Sequence, residues 1–231
     1  MSERPSATVI NLPVSRAERL ADLRGLLAEK FPTAPVRRSG IVSTGIDAID
    51  GVEGGLRLGA MTEISGTPAG SSLLVAALIS MLGKEKRLGA LVDCGSFFDC
   101  GSFAPAGLKR LLWVRCGLPA EAVKAADLLL RDGNLSLLVI DLQGAELRGV
   151  GRIPASTWHR FQRVVEQGNM ALAVFTPRPM VEGPSVRIAV DWRWDFEAMT
   201  DRRTEIYTRL AARISSRRNF VAPNIAELRT A

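Results

Sequence analysis

Histidine and tyrosine occur once each among the 231 residues, and cysteine three times. His159 has no second His or Cys at ligand spacing, which excludes a histidine-built metal centre and makes it a helix-surface or packing residue. Cys94, Cys100 and Cys116 are odd in number and lack C-x-x-C spacing. Neither a disulfide framework nor a zinc ribbon is available to them, and each is expected to be a small buried hydrophobe. No apolar run approaches the roughly 18 to 20 residues that cross a bilayer, so no membrane contact of that kind is expected. The opening Met-Ser-Glu-Arg-Pro-Ser lacks the basic start and apolar stretch of a secretory signal, which points to a cytoplasmic protein. Internal repeats and low-complexity tracts are absent.

What is present is a hydrophobic fraction of 47%, enough for one substantial core. The 30 Lys and Arg exceed the 24 Asp and Glu by six. Most of that excess is local. Arg202, Arg203, Arg209, Arg213, Arg217 and Arg218 face only Glu205, so six minus one leaves +5 in 17 residues. The planar fork of arginine suits phosphate or carboxylate better than plain solvation, which makes residues 202–218 a candidate DNA or partner-binding segment.

The chain reads as three parts. Residues 1–38 are a polar lead, a helix and a linker: Ser15 and Glu18 form an S-x-x-E capping box, with Ala17, Leu20, Leu23 and Leu27 at helical spacing. Residues 39–225 carry the core domain, and 226–231 are a short tail. Within the core, strands alternate with helices. The strand Met61–Ser65 leads into a Gly-rich turn over 66–72 and a helix from about Leu73 to Leu82. Further strands are expected at Gly89–Asp93, Leu111–Cys116, Leu135–Asp141 and Met170–Thr176, with helices Pro119–Asp132 and Ala155–Gln167 between them. Apolar strands alternating with helices predict an α/β fold with a mostly parallel sheet covered on both faces. Residues 186–194 and 205–214 show polar alternation and read as antiparallel strands at a sheet edge. Trp192 and Trp194 share one face of the former, as core or as a base-stacking platform.

A strand, a Gly-rich turn and a helix form the arrangement of a phosphate-binding loop, whose backbone N–H groups cradle an anion. Gly66 opens the turn. The motif requires G-x-x-x-x-G-K-[ST]. Without a gap, Ser71 takes the second glycine, Ser72 the lysine and Leu73 the hydroxyl. With one deletion, Gly70 takes the glycine, Ser71 the lysine and Ser72 the hydroxyl. Neither register supplies a lysine, and Lys84 and Lys86 lie roughly 18 Å or more along the helix. Asp141 ends a strand where a magnesium-holding acid would stand, or where a loop anchor would. The eroded loop Gly66, Gly70, Ser71 and Ser72 with Asp141 is therefore a non-functional remnant in this reading, and no cofactor is expected.

Ser43-Thr44-Gly45-Ile46-Asp47-Ala48-Ile49-Asp50, then Gly54-Gly55-Leu56-Arg57-Leu58-Gly59, resembles the entry to the core domain of the RecA recombinase superfamily. The resemblance continues through Leu91-Val92-Asp93, Leu137–Asp141, Ala173–Thr176 and Arg217–Pro223, over roughly residues 40 to 225. It implies a RecA-like sheet. It also implies a catalytic glutamate just after Asp93, where this chain has Cys94-Gly95-Ser96-Phe97 and no carboxylate before Asp99. The DNA-contacting loops of that superfamily match about 144–153, with Arg148 and Arg152, and 177–185, with Arg178 and three prolines.

Within the superfamily the sequence is most similar to the ImuA branch, in its eroded loop, its Leu-Leu-Trp-Val-Arg strand before a Pro-Ala-Glu-Ala helix, and its late Trp-Arg-Trp. That resemblance implies a non-catalytic accessory role in SOS mutagenesis and translesion synthesis. Its implied partners are RecA, an ImuB-like pseudo-polymerase or a DnaE-type polymerase, with DNA contact through the basic segment. Two other readings stay open: an altered ATPase that binds nucleotide through Gly66, Gly70 and Asp141, and a SulA-like inhibitor of cell division.

Overall fold

A computed structural model describes residues 40–103, 105–191, 206 and 210–217. Two short strands, β1 (Ile41–Val42) and β2 (Leu56–Arg57), pair antiparallel around helix α1 (Asp47–Glu53). Asp50 holds the segment between β1 and α1. Its carboxylate accepts from Ser43 Oγ at 2.6 Å, Thr44 Oγ1 at 2.7 Å, and the Thr44 and Gly45 N–H groups at 2.9 Å each. This motif is thus a structural knot at the entrance to the main sheet.

The main sheet contains β3 (Met61–Gly66), β4 (Gly89–Cys94), β5 (Leu111–Cys116), β6 (Leu137–Asp141), β7 (Ala171–Thr176), β8 (Val186–Asp191) and β9 (Ala211–Arg217), in the order β5-β4-β6-β7-β3-β8-β9. Helices α2 (Pro68–Lys84), α3 (Pro105–Leu108), α4 (Pro119–Leu130), α5 (Leu147–Gly151) and α6 (Ala155–Gln167) connect the strands. All neighbours are parallel except β8 and β9. The expected α/β class and its mostly parallel sheet are therefore observed. Placement of the antiparallel part is corrected: β8 runs parallel to β3, and the direction reverses only at β9, which begins at Ala211 rather than 205. Polar alternation in β8 reflects its register beside β3, since Val186, Ile188 and Val190 are buried and Arg187 and Ala189 are half-buried.

Every residue of β4 and β7 is buried, which explains why these strands read as unbroken apolar runs. Successive residues point to opposite layers. Leu91, Val139, Ala173 and Phe175 pack towards α2, and Val92, Ile140, Leu172 and Val174 pack towards α4 and α6. Among the described residues no helix is long and apolar enough to cross a membrane. The 15–29 helix, Trp192, Trp194, Arg202, Arg203, Arg209 and Arg218 lie outside the described residues.

Candidate functional site at the carboxyl ends of the central strands

In open α/β sheets, ligand chemistry collects outside the carboxyl ends of the strands. Here β3 delivers Gly66 to that edge, and a Cβ on Gly66 would fall inside the Val190 carbonyl of β8. The expected loop over 66–72 is not a loop. Helix α2 begins at Pro68, two residues after the strand, because Pro68 presets the helical φ and Thr67 caps the first turn. Gly70 N–H donates to Thr67 Oγ1 at 3.4 Å, and Ser71 N–H donates to the Thr67 carbonyl at 3.1 Å. Those are two of the amides that would face a phosphate at this turn.

The Ser71 side chain is closed off as well. Gln143 Nε2, from the loop after β6, donates to Ser71 Oγ at 2.9 Å and to the Thr176 carbonyl at 2.7 Å. Ser71 is 1% exposed, whereas Ser72 points to solvent. The first helical lysine, Lys84, stands at the far end of α2, about 20 Å away at 1.5 Å per residue. With the Gly70 and Ser71 amides engaged by Thr67 and Ser71 plugged by Gln143, the described residues of this turn do not fit a magnesium-bound nucleoside triphosphate.

Two carboxylates lie side by side on β4 and β6, where Asp93 and Asp141 are register partners. Their roles differ. Asp93, 1% exposed, accepts from Phe97 N–H at 3.2 Å, Phe98 N–H at 3.3 Å and Trp113 Nε1 at 3.2 Å, so it shapes the loop after β4. Asp141 accepts Gln143 N–H at 3.0 Å. Burial pushes its acid up to about 6, the Gln143 amide opposes that rise, and Asp93 adds to it. Where the resemblance expects a water-activating glutamate, the loop instead presents Phe97 and Phe98. Phe98 meets Phe103 at 4.8 Å between ring centroids and Trp113 edge-on at 5.1 Å. Between this loop and α2 lies a cleft of about 270 Å³ with Asp141 in its wall.

The loop after β7 is held by a buried charge that sequence reading missed. Glu63, in the middle of β3 and wholly buried, accepts from Thr176 Oγ1 at 3.1 Å, Met180 N–H at 2.6 Å, Val181 N–H at 2.9 Å and Arg187 Nε at 2.6 Å. Arg187 also donates to the Val181 carbonyl. The signal available was an acid in the apolar run Met-Thr-Glu-Ile-Ser, which demands a buried partner.

Arg148, Arg152 and Arg178 are exposed at this same end of the sheet. Their two loops approach each other where a Cβ on Gly151 would lie 3.8 Å from Met180 Cε. The first loop, expected as irregular chain over 144–153, folds into α5. Arg213 is exposed on β9, and the backbone of Arg217 pairs with Val186. His159 is exposed on α6, as expected. Of the cysteines, Cys94 and Cys116 are buried register partners, and burial together with Cys116 pushes the Cys94 thiol up to about 11. Cys100 is exposed in a short 3₁₀ turn, which corrects the expectation of burial.

No family model matches the chain, and no curated protein matches it in sequence. Its fold is similar to the crystal structure of the RadB recombinase, with a TM-score of 0.54 and 16% identity over 67% of this chain and 85% of that one. Taken with the order of strands around β3, that likeness shows that the chain has a RecA-like core.

Proposed function

We propose that this protein is a non-catalytic accessory factor of the SOS DNA-damage response. It supports error-prone translesion synthesis through contacts with RecA, an ImuB-like pseudo-polymerase or a DnaE-type polymerase. One observation carries the non-catalytic part: the Gly70 and Ser71 amides donate to Thr67, and the Ser71 side chain is held by Gln143. A phosphoryl-transfer centre needs those amides and a lysine free for the transferred group. The resemblance to the ImuA branch supports the pathway and the partners. Exposed Arg148, Arg152, Arg178 and Arg213, with the remaining arginines of 202–218, supply charge for a nucleic-acid or acidic protein partner.

Deleting residues 202–231 would remove β9 from the sheet, so charge reversal is the better test. In DNA-damaged cells the full chain is expected to co-purify with RecA or a polymerase subunit, and the Arg213→Glu, Arg217→Glu, Arg218→Glu variant to lose that partner or its DNA binding. Any DNA binding should fall steeply from low to physiological salt. Recovery of none of these partners, with no DNA binding, would overturn the proposal. Magnesium-dependent binding of a fluorescent ATP analogue, lost in Asp141→Ala, would favour the altered ATPase instead.

A further inference from the structure

We propose that the cleft between α2 and the loop after β4 is a docking site for an arginine side chain presented by a partner polypeptide. Leu73, Val75 and Ala76 of α2 form one side of the cleft, and Phe97, Phe98 and Phe103 form the other. Its entrance is open, because Ser72, Phe97 and Asp99 are exposed. At about 270 Å³ it lies near the small end of ligand pockets, which run from about 300 to 1,000 Å³, and suits one side chain rather than a nucleotide.

Charge selects the occupant. Among the described residues of the lining the acids are Asp141 and Asp99, the latter already accepting from Gly101 N–H at 2.9 Å, and none is basic. A hard metal ion is a poor match, since hard cations take six or more oxygen ligands and the walls are hydrocarbon and aromatic. Among the described residues no group of three or more His, Cys, Asp or Glu is placed to hold a metal. An organic cation on an apolar stem satisfies both halves of the cleft. Its stem covers Leu73 and the phenylalanines, its charge meets a carboxylate, and aromatic faces attract it further. Arginine is favoured over lysine because its weakly hydrated planar fork loses less on leaving water and can grip a carboxylate at two points.

The backbone of the loop that lines the cleft is held independently of any occupant. Asp93 fixes the Phe97 and Phe98 amides, and the Phe97 ring lies against Gly144, where a Cβ would overlap it. Among the described residues, Asp93 on β4 acts on the Asp141 acid and the Cys94 thiol feels Asp141 in turn, Asp99 shares the lining, and the α2 residues of the lining are uncharged. Because burial holds the Asp141 acid up to about 6, docking strengthens as pH rises through that value and the carboxylate ionises. The chemistry of the cleft does not depend on the proposed DNA-damage role.

The test is an NMR titration of the full chain with the peptide acetyl-Gly-Arg-Gly-amide, against the same peptide carrying uncharged citrulline. Shifts confined to residues 69–76, 97–103 and 141 are expected with arginine, with at least tenfold weaker binding of the citrulline peptide. A tenfold loss is expected in Asp141→Asn, a smaller loss in Phe97→Ala, and weaker binding at pH 5 than at pH 8. An equal response to citrulline, an unchanged Asp141→Asn, or no shift in the cleft would overturn the proposal. The last outcome includes a cleft already filled by an arginine of the same chain.

Discussion

Gln143 Nε2 sits 2.9 Å from Ser71 Oγ, joining the loop after β6 to the first turn of α2 across a sequence separation of 72 residues. This bond occupies the position that a phosphate-binding lysine takes in the gapped register of the motif. Ser71→Lys would therefore bury an ammonium in a site 1% exposed and already filled. The expected outcome is a loss of about 3 kcal/mol or more in thermal or denaturant unfolding, with no gain in ATP-analogue binding. Magnesium-dependent binding by the variant at unchanged Tm would show that the junction opens readily.

Glu63 is a second closure, under the loop after β7. Removing one partner of a buried ion pair costs roughly 3 to 5 kcal/mol. Because the Arg187 side chain is 29% exposed, Glu63→Ala should fall near the lower end. Hydrogen exchange checks the location: the Met180 and Val181 amides, which donate to Glu63, should lose protection first. Protection retained at both would mean that the loop is held by other contacts.

Asp141 makes stability depend on pH in a defined direction. Its acid is raised from 3.8 to about 6, chiefly by burial. Between those values the unfolded chain has released the proton while the folded protein keeps it, so this group lowers stability as pH rises from about 4 to 6 and adds no further slope above. About two pH units correspond to up to about 3 kcal/mol. Asp141→Asn should abolish the slope, so its advantage over the parent should grow between pH 4 and 6 and then level. A constant difference across that range in urea titrations would contradict the assignment.

Gly66 and Gly144 should respond differently to alanine. At Gly66 a Cβ meets the Val190 backbone, which cannot swing aside, and a loss of about 3 kcal/mol or more is expected. At Gly144 the obstacle is the exposed Phe97 ring, which can turn away. Gly144→Ala should keep most of its stability but alter Phe97 packing, visible as shifted Phe97 ring resonances. Equal Tm losses in the two variants would remove this distinction.

Much of the architecture was legible because it is written in local patterns. Helix α6 at Ala155–Gln167 and strand β5 at Leu111–Cys116 matched the expected ranges residue for residue, since Pro154, Gly168 and the apolar runs mark them directly. The start of α2 was misread for a local reason too: glycine and serine after a strand suggest a loop, but Thr67 and Pro68 together cap and open a helix. The direction of β8 was hidden because alternation reports which face is buried and says nothing of strand polarity.

From sequence alone came the α/β class, the missing lysine and the acid at the end of β6, because each is a matter of residue type and spacing, while the missing glutamate was legible only through the resemblance to the RecA superfamily. Only the tertiary structure decided what stands in their place. Gln143 reaches Ser71, Glu63 reaches Arg187 and the Phe97 loop crosses Gly144 through contacts between segments dozens of residues apart. Periodicity carries no trace of such pairings, because parallel strands bring together residues whose separation is set by the crossovers between them.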